Sequence, residues 1–138
     1  MSDLNFEHLA KVEFKIGAQY QFGKTAFAAR GCGVLESGTI KGEKIDGVLV
    51  GPCADWAFIG EDGFVLGDIR ANWKMDDGSF ILMEYQAKLN SPSEPAYSAV
   101  NFSGGSEKYM SLNRKLIIGK GSYDSEAQMV KYDLYLVS

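Results

Sequence analysis

Apolar and polar residues alternate with a period of two along most of this chain, which marks strands that bury one face. Over residues 8–20, Ala10, Val12, Phe14 and Ile16 share one parity, while Leu9, Lys11, Glu13 and Lys15 share the other. The even positions are therefore expected to face inward. Similar patterning predicts strands at 25–41, 45–50, 54–60, 64–75, 80–89, 97–102, 114–121 and 129–137. In the last of these, Val130, Tyr132, Leu134 and Leu136 fall on one face. Two turns stand out, Glu61-Asp62-Gly63 and Asp76-Asp77-Gly78. An Asp-Gly pair between alternating runs is a strong hairpin signal. Residues 90–95 read as a flexible loop, and 106–113 as one short helix with Ser106 as its cap and Glu107 in its first turn.

Glycine refines this picture. Sixteen glycines against three prolines, several of them inside strand patterns, mark the bends and bulges that let a sheet curl. Closing one antiparallel sheet hides both of its edges, and about eight strands leave room inside for side chains or one small ligand. The expected fold is all-β: a single antiparallel barrel of about eight to ten strands spanning residues 1–138 as one domain, with residues 1–7 as a loosely ordered terminus. A chain of 138 residues is long enough for its own core without a metal or disulfide staple.

Charge and cysteine content narrow the partners. The net charge is −4, with basic residues dispersed, which gives no electrostatic footprint for nucleic acid. No apolar run approaches the roughly 20 residues of a membrane-spanning helix. Cys32 and Cys53 have no metal-binding spacing, and Met1 to His8 lacks the charged and apolar regions of a signal peptide. A cytoplasmic protein with reduced thiols and no cofactor is expected. His8 is the sole histidine, so a catalytic triad or paired-histidine zinc site would have to use a residue beside the terminus. Residues 18–25, AQYQFGKT, imitate a phosphate loop, but Gln19, Tyr20, Gln21 and Phe22 are too bulky to wrap a phosphate, and no long helix follows.

The candidate chemistry lies around the first Asp-Gly hairpin. Asp68 and Arg70 leave one face of their strand about 7 Å apart. As an inward pair, Arg70 would hold an anion and Asp68 would orient it or move a proton. The other parity, Ile69, Ala71, Trp73 and Met75, is apolar, and an ordinary barrel would turn it inward and the polar pair out. A ligand-holding barrel, or a dimer burying its outer wall, would reverse that. Asp55, before Trp56 and after the Gly51-Pro52 break, lies near a barrel mouth, where two carboxylates could divide acid and base roles. Glu84 and Tyr85 face opposite ways, so one of them enters the lumen. Tyr109 and Asn113, four apart on the short helix, either lid the barrel over a ligand or satisfy nearby backbone groups.

Several of these motifs occur together: Asp55-Trp56, Gly67-Asp68-x-Arg70, Asp76-Asp77-Gly78-x-Phe80-Ile81, Tyr109-x-x-Leu112-Asn113 and Ile118-Gly119-x-Gly121. In this order they resemble the DUF3237 family, also called UPF0311, over most of the chain after Ile45. The resemblance implies a calycin-like or lipocalin-like barrel and no defined activity. The family commonly has Leu where this chain has Gly67, and Trp where it has Met110. Three functions are in view. The first is a barrel binding a polar or anionic organic ligand through Arg70, Trp56, Glu84, Tyr85, Tyr109 and Asn113. The second is metal-free acid/base chemistry (isomerisation, cyclisation or dehydration) with Asp55 or Asp68 moving the proton. The third is a solid barrel whose outer wall forms a homodimer.

Overall fold

The computed structural model describes residues 3–138. Of the expected loose terminus, Met1 and Ser2 lie outside the described residues, and strand structure already begins at Phe6. Eight antiparallel strands follow one another around a closed barrel: β1 (Phe6–Lys24), β2 (Ala29–Lys41), β3 (Asp46–Ile59), β4 (Val65–Met75), β5 (Phe80–Leu89), β6 (Ala96–Ser103), β7 (Leu116–Asp124) and β8 (Met129–Val137), with β8 pairing back onto β1. Each strand pairs with its sequence neighbour, and closure leaves no exposed edge. Both Asp-Gly turns are present, with Gly63 and Gly78 at φ of +91° and +83°, a region that glycine enters without steric cost.

The two strands expected at 45–50 and 54–60 are one strand. Gly51, Pro52 and Cys53 bulge out of β3, so that Val50 still pairs with Asn72 and Ala54 with Arg70. The excess over the partner strand is two residues, which preserves the inward parity across the break. A second bulge has the opposite effect. In β1, Ile16 pairs with Leu35 but Gln19 pairs with Gly33, so Gly17 and Ala18 oppose the single residue Val34. The parity inverts there. Even residues face inward up to Ile16, as the alternation predicts, but beyond it Gln19 and Gln21 turn in while Tyr20 and Phe22 are exposed.

The lumen is filled at one end and hollow at the other. The filled end carries the connections 42–45, 76–79 and 104–115. Its core includes Val12, Phe14, Ile40, Trp73, Ile81, Met83, Ile117 and Leu134, all essentially inaccessible to solvent. Phe14 and Trp73 stack at 5.5 Å between ring centroids, an offset geometry favourable to aromatic rings. The expected helix is shorter and later than 106–113: a turn at Ser106–Tyr109 leads into a 3₁₀ segment, Met110–Arg114. It closes this end by inserting Tyr109 and Leu112 into the core.

Candidate functional site

At the opposite end, bounded by the connections 25–28, 60–64, 90–95 and 125–128, the barrel encloses a cavity of about 400 Å³, within the range of small-molecule sites. Its walls are mostly apolar: Ile16, Leu35, Ala57, Ile59, Val65, Ile69, Ala87, Leu89, Ala96 and Val130. The polar groups are few: Asp55 from β3, Tyr85 from β5, Tyr132 from β8, Gln19 and Gln21 from β1 beyond its bulge, and Ser122 and Tyr123 at the rim. No lysine or arginine lines it.

Asp55 is the focus of this chamber. Register places it between Gly33 on β2 and Ile69 on β4, so it has the inward parity of that row. Its Oδ1 accepts a hydrogen bond of 2.9 Å from the backbone N–H of Asp68. Burial pushes its carboxyl above the usual aspartate range; the Asp68 N–H opposes that shift, and the Asp68 carboxylate adds to it. Tyr85 and Tyr132 meet edge to face at 5.5 Å between ring centroids. Burial holds Tyr85 well above the ordinary phenol range, and Tyr132 is pushed up to about 12. Both are therefore protonated hydrogen-bond donors at neutral pH. Gln19 donates from Nε2 to Gln128 Oε1 at 2.9 Å, which anchors β1 to the β7–β8 turn at the cavity mouth.

The inward Asp68–Arg70 pair is not what the structure contains. Arg70 lies on the outer wall with its side chain 66% exposed, 3.5 Å from Glu84 on β5. Asp68 shares that outward parity and contacts the chamber only through its backbone N–H. The apolar alternative won: Ile69, Ala71, Trp73 and Met75 are all buried, and four hydrophobic side chains outweigh one polar pair for the inner face. Trp56 also points outward and is 42% exposed. Of Glu84 and Tyr85, Tyr85 is the one inside. Tyr109 and Asn113 sit at the filled end, away from the cavity. The Tyr109 hydroxyl donates to Asp76. Asn113 accepts from Gly104 N and donates to Gly104 O, each at 2.9 Å, so it serves backbone groups. His8, on the outer face of β1, pairs with Asp133 at 2.9 Å.

Gln19, Gln21 and Tyr132 are pocket residues that the sequence reading missed as a site. The usable signal was Gly17, a glycine inside an alternating run and hence a bulge candidate. Cys32 and Cys53 are both free thiols, and burial raises both above their usual range, which makes them poor nucleophiles. Among the described residues, no cluster of three or more His, Cys, Asp or Glu is placed to hold a metal ion, and no helix is long and apolar enough to cross a membrane.

Fold and cavity together define a class: a small up-and-down β-barrel, solid at one end, with a half-buried acid in a hollow at the other. Within that class the chain belongs to the DUF3237 family, described as "Protein of unknown function", whose model matches residues 4–137. A search of curated proteins found no match. Among solved structures, the chain is similar to a β-barrel-like protein from Acinetobacter baumannii AYE, at 21% identity and a TM-score of 0.90, covering 100% of this chain and 98% of that one. A conserved protein of unknown function from Rhodopseudomonas palustris matches at 18% identity and a TM-score of 0.90 over the whole of both chains. An enzyme from Penicillium herquei matches at 25% identity and a TM-score of 0.82, covering 100% and 97%. The first two likenesses establish the fold alone.

Proposed function

We propose that the protein binds a largely apolar, uncharged organic molecule in the open half of the barrel and moves a proton on it through Asp55, without a metal. The observation that carries this reading is the position of Asp55: an acid desolvated inside a cavity of about 400 Å³ and held by one backbone N–H. A carboxylate in water is too weak a base to abstract a proton efficiently. Desolvation moves it toward the operating pH, where general-base catalysis is most effective. The step is a balanced transfer. Asp55 takes a proton from an O–H, or from a C–H beside a carbonyl, and the resulting acid returns it to another atom of the same molecule. Tyr85 and Tyr132, which remain protonated, donate hydrogen bonds to the oxygen on which negative charge develops.

The anionic ligand expected from Arg70 gives way in this reading. An anion would meet Asp55 with no lining cation to offset the repulsion. That one similar structure is an enzyme lends support to a catalytic rather than purely binding role. The test needs no knowledge of the natural substrate. A panel of cyclic ketones in D2O is followed by NMR for hydrogen–deuterium exchange beside the carbonyl. The expected result is exchange faster than in buffer, reduced about 100-fold or more in Asp55→Asn and unchanged in Arg70→Ala. Exchange at the buffer rate, or equal in Asp55→Asn and wild type, would contradict the reading.

A further inference from the structure

One wall of the cavity carries almost no side chains. Gly31 and Gly33 on β2, Ala57 on β3, and Gly67 and Ala87 on neighbouring strands all line it. Register sets Gly31 opposite Ala57 and Gly67 opposite Ala87. Across the lumen, β7 and β8 supply the larger side chains Tyr123, Val130 and Tyr132. The space between is a slot, with backbone on one side, tyrosine rings on the other, and the Asp55 carboxylate on the bare side.

Gly67 differs from the other two glycines in what it protects. A Cβ at Gly33 would approach nothing closer than Ile16 Cγ2 at 3.9 Å, and one at Gly31 would meet Gln21 Oε1 at 3.1 Å. At Gly67 a Cβ would lie 3.2 Å and 3.3 Å from the two carboxylate oxygens of Asp55, and 3.0 Å from Ile69 Cδ1. Ile69 can change rotamer. The carboxylate cannot retreat freely, because its Oδ1 is held by the Asp68 N–H at 2.9 Å. Any longer side chain at this position would extend from that Cβ over the lumen face of the acid.

We propose that Gly67 is the specificity-determining residue of this pocket. By leaving the face of Asp55 uncovered, it admits a flat ring system that lies broadside against the β2–β4 wall with a hydroxyl at the carboxylate. A side chain at 67 would leave only a narrow end-on approach, which a flexible chain alcohol can use and a fused ring cannot. The proposal rests on the cavity being a ligand site, but not on proton transfer taking place there.

The experiment compares two neutral hydroxyl probes of different shape, 2-naphthol and 1-decanol, by calorimetry and competition on the full chain. Wild type is expected to bind both. Gly67→Leu should weaken 2-naphthol at least tenfold and 1-decanol less than threefold. Arg70→Ala, on the outer wall and away from the cavity, should change neither by more than about threefold, and thermal melts establish that both variants are folded. If Gly67→Leu does not fold, Gly67→Ala is compared in its place, with the same order of effects and at least a threefold difference between the probes. Equal losses for the two probes, no loss for either, or failure of wild type to take up 2-naphthol would overturn the proposal. Asp55→Asn separates the two readings. If it abolishes deuterium exchange while the Gly67 variants leave probe selectivity unchanged, the shape argument fails and proton transfer stands. If it leaves exchange unaltered while the shape selectivity holds, proton transfer fails and Gly67 keeps its role.

Discussion

Asp55 and Arg70 show at the scale of single residues how burial decides chemistry. Asp55 is charged at a desolvation cost, and the direction of its effect on stability follows from linkage. Its folded-state carboxyl titrates above its unfolded value, so the native state binds the proton more tightly. Stability is therefore highest while the group is protonated in both states, and falls as pH rises from the ordinary aspartate range to the raised folded value. Asp55→Asn keeps the acceptor oxygen for the Asp68 N–H and removes the charge. With that partly desolvated charge gone, Asp55→Asn is predicted to melt higher than wild type at pH 7, with the gain vanishing near pH 3, as thermal denaturation at the two pH values would measure. Arg70→Ala should behave in the opposite way to a site mutation. Its pair with Glu84 is exposed, so the expected change in stability is under about 1 kcal/mol, and probe affinity should be unaltered. Trp73→Ala, which empties the centre of the filled end, is expected to cost about 3–5 kcal/mol in chemical denaturation.

At the scale of elements, the strands were legible because a period of two survives in a sequence wherever one face is buried. The barrel, both Asp-Gly turns and the inward row of β8 could be read in this way. The two features that place the site could not, because each depends on a local break in the period. The Gly51 to Cys53 bulge adds two residues and hides within one continuous strand. The Gly17–Ala18 bulge adds one and exchanges the faces of everything beyond it in β1. A glycine shows where a bulge is allowed, but not how many residues it inserts, and that number decides which side chains enter the lumen. Deleting Ala18 removes the extra residue and leaves Gln19 two places after Ile16, so Gln19 and Gln21 should stay in the lumen and Tyr20 and Phe22 outside, now in simple alternation. The prediction is a folded barrel by circular dichroism with probe affinity changed less than about threefold, because the same side chains line the cavity. The segment after β6 gives a second element-scale case. Asp76 receives Lys108 at 2.6 Å and the Tyr109 hydroxyl, and Asp77 receives Ser106. These donors hold Asp76 below its usual value and Asp77 down to about 2. Depressed folded-state values mean that this stabilisation is present above about pH 4 and is lost as pH falls through about 2. Asp77→Asn should flatten the acid limb of the melting temperature between pH 4 and pH 2.

For the whole molecule, the division into a solid half and a hollow half explains why one small chain can hold a half-buried acid. Trp73, Phe14 and their neighbours supply the packing, and the segment containing Tyr109 and Leu112 closes that end. The other end carries less packing and more polar chemistry, in keeping with the usual concession of stability at functional sites. The resemblance in motif order led correctly to the family, but those motifs marked turns, outer-wall pairs and the closing segment as well as the site. Asp55 alone among the proposed acids lies in the hollow. The polar neighbours there, Tyr85, Tyr132, Gln19 and Gln21, come from three strands far apart in sequence, a convergence that only the register of the closed barrel creates. The most direct test of the account is therefore a 13C NMR titration of the Asp55 side-chain carboxyl, with and without saturating 2-naphthol. The account predicts a midpoint above the ordinary aspartate range in the free protein, and a further change when the probe occupies the cavity. A midpoint at the ordinary aspartate value that is indifferent to the probe would contradict it.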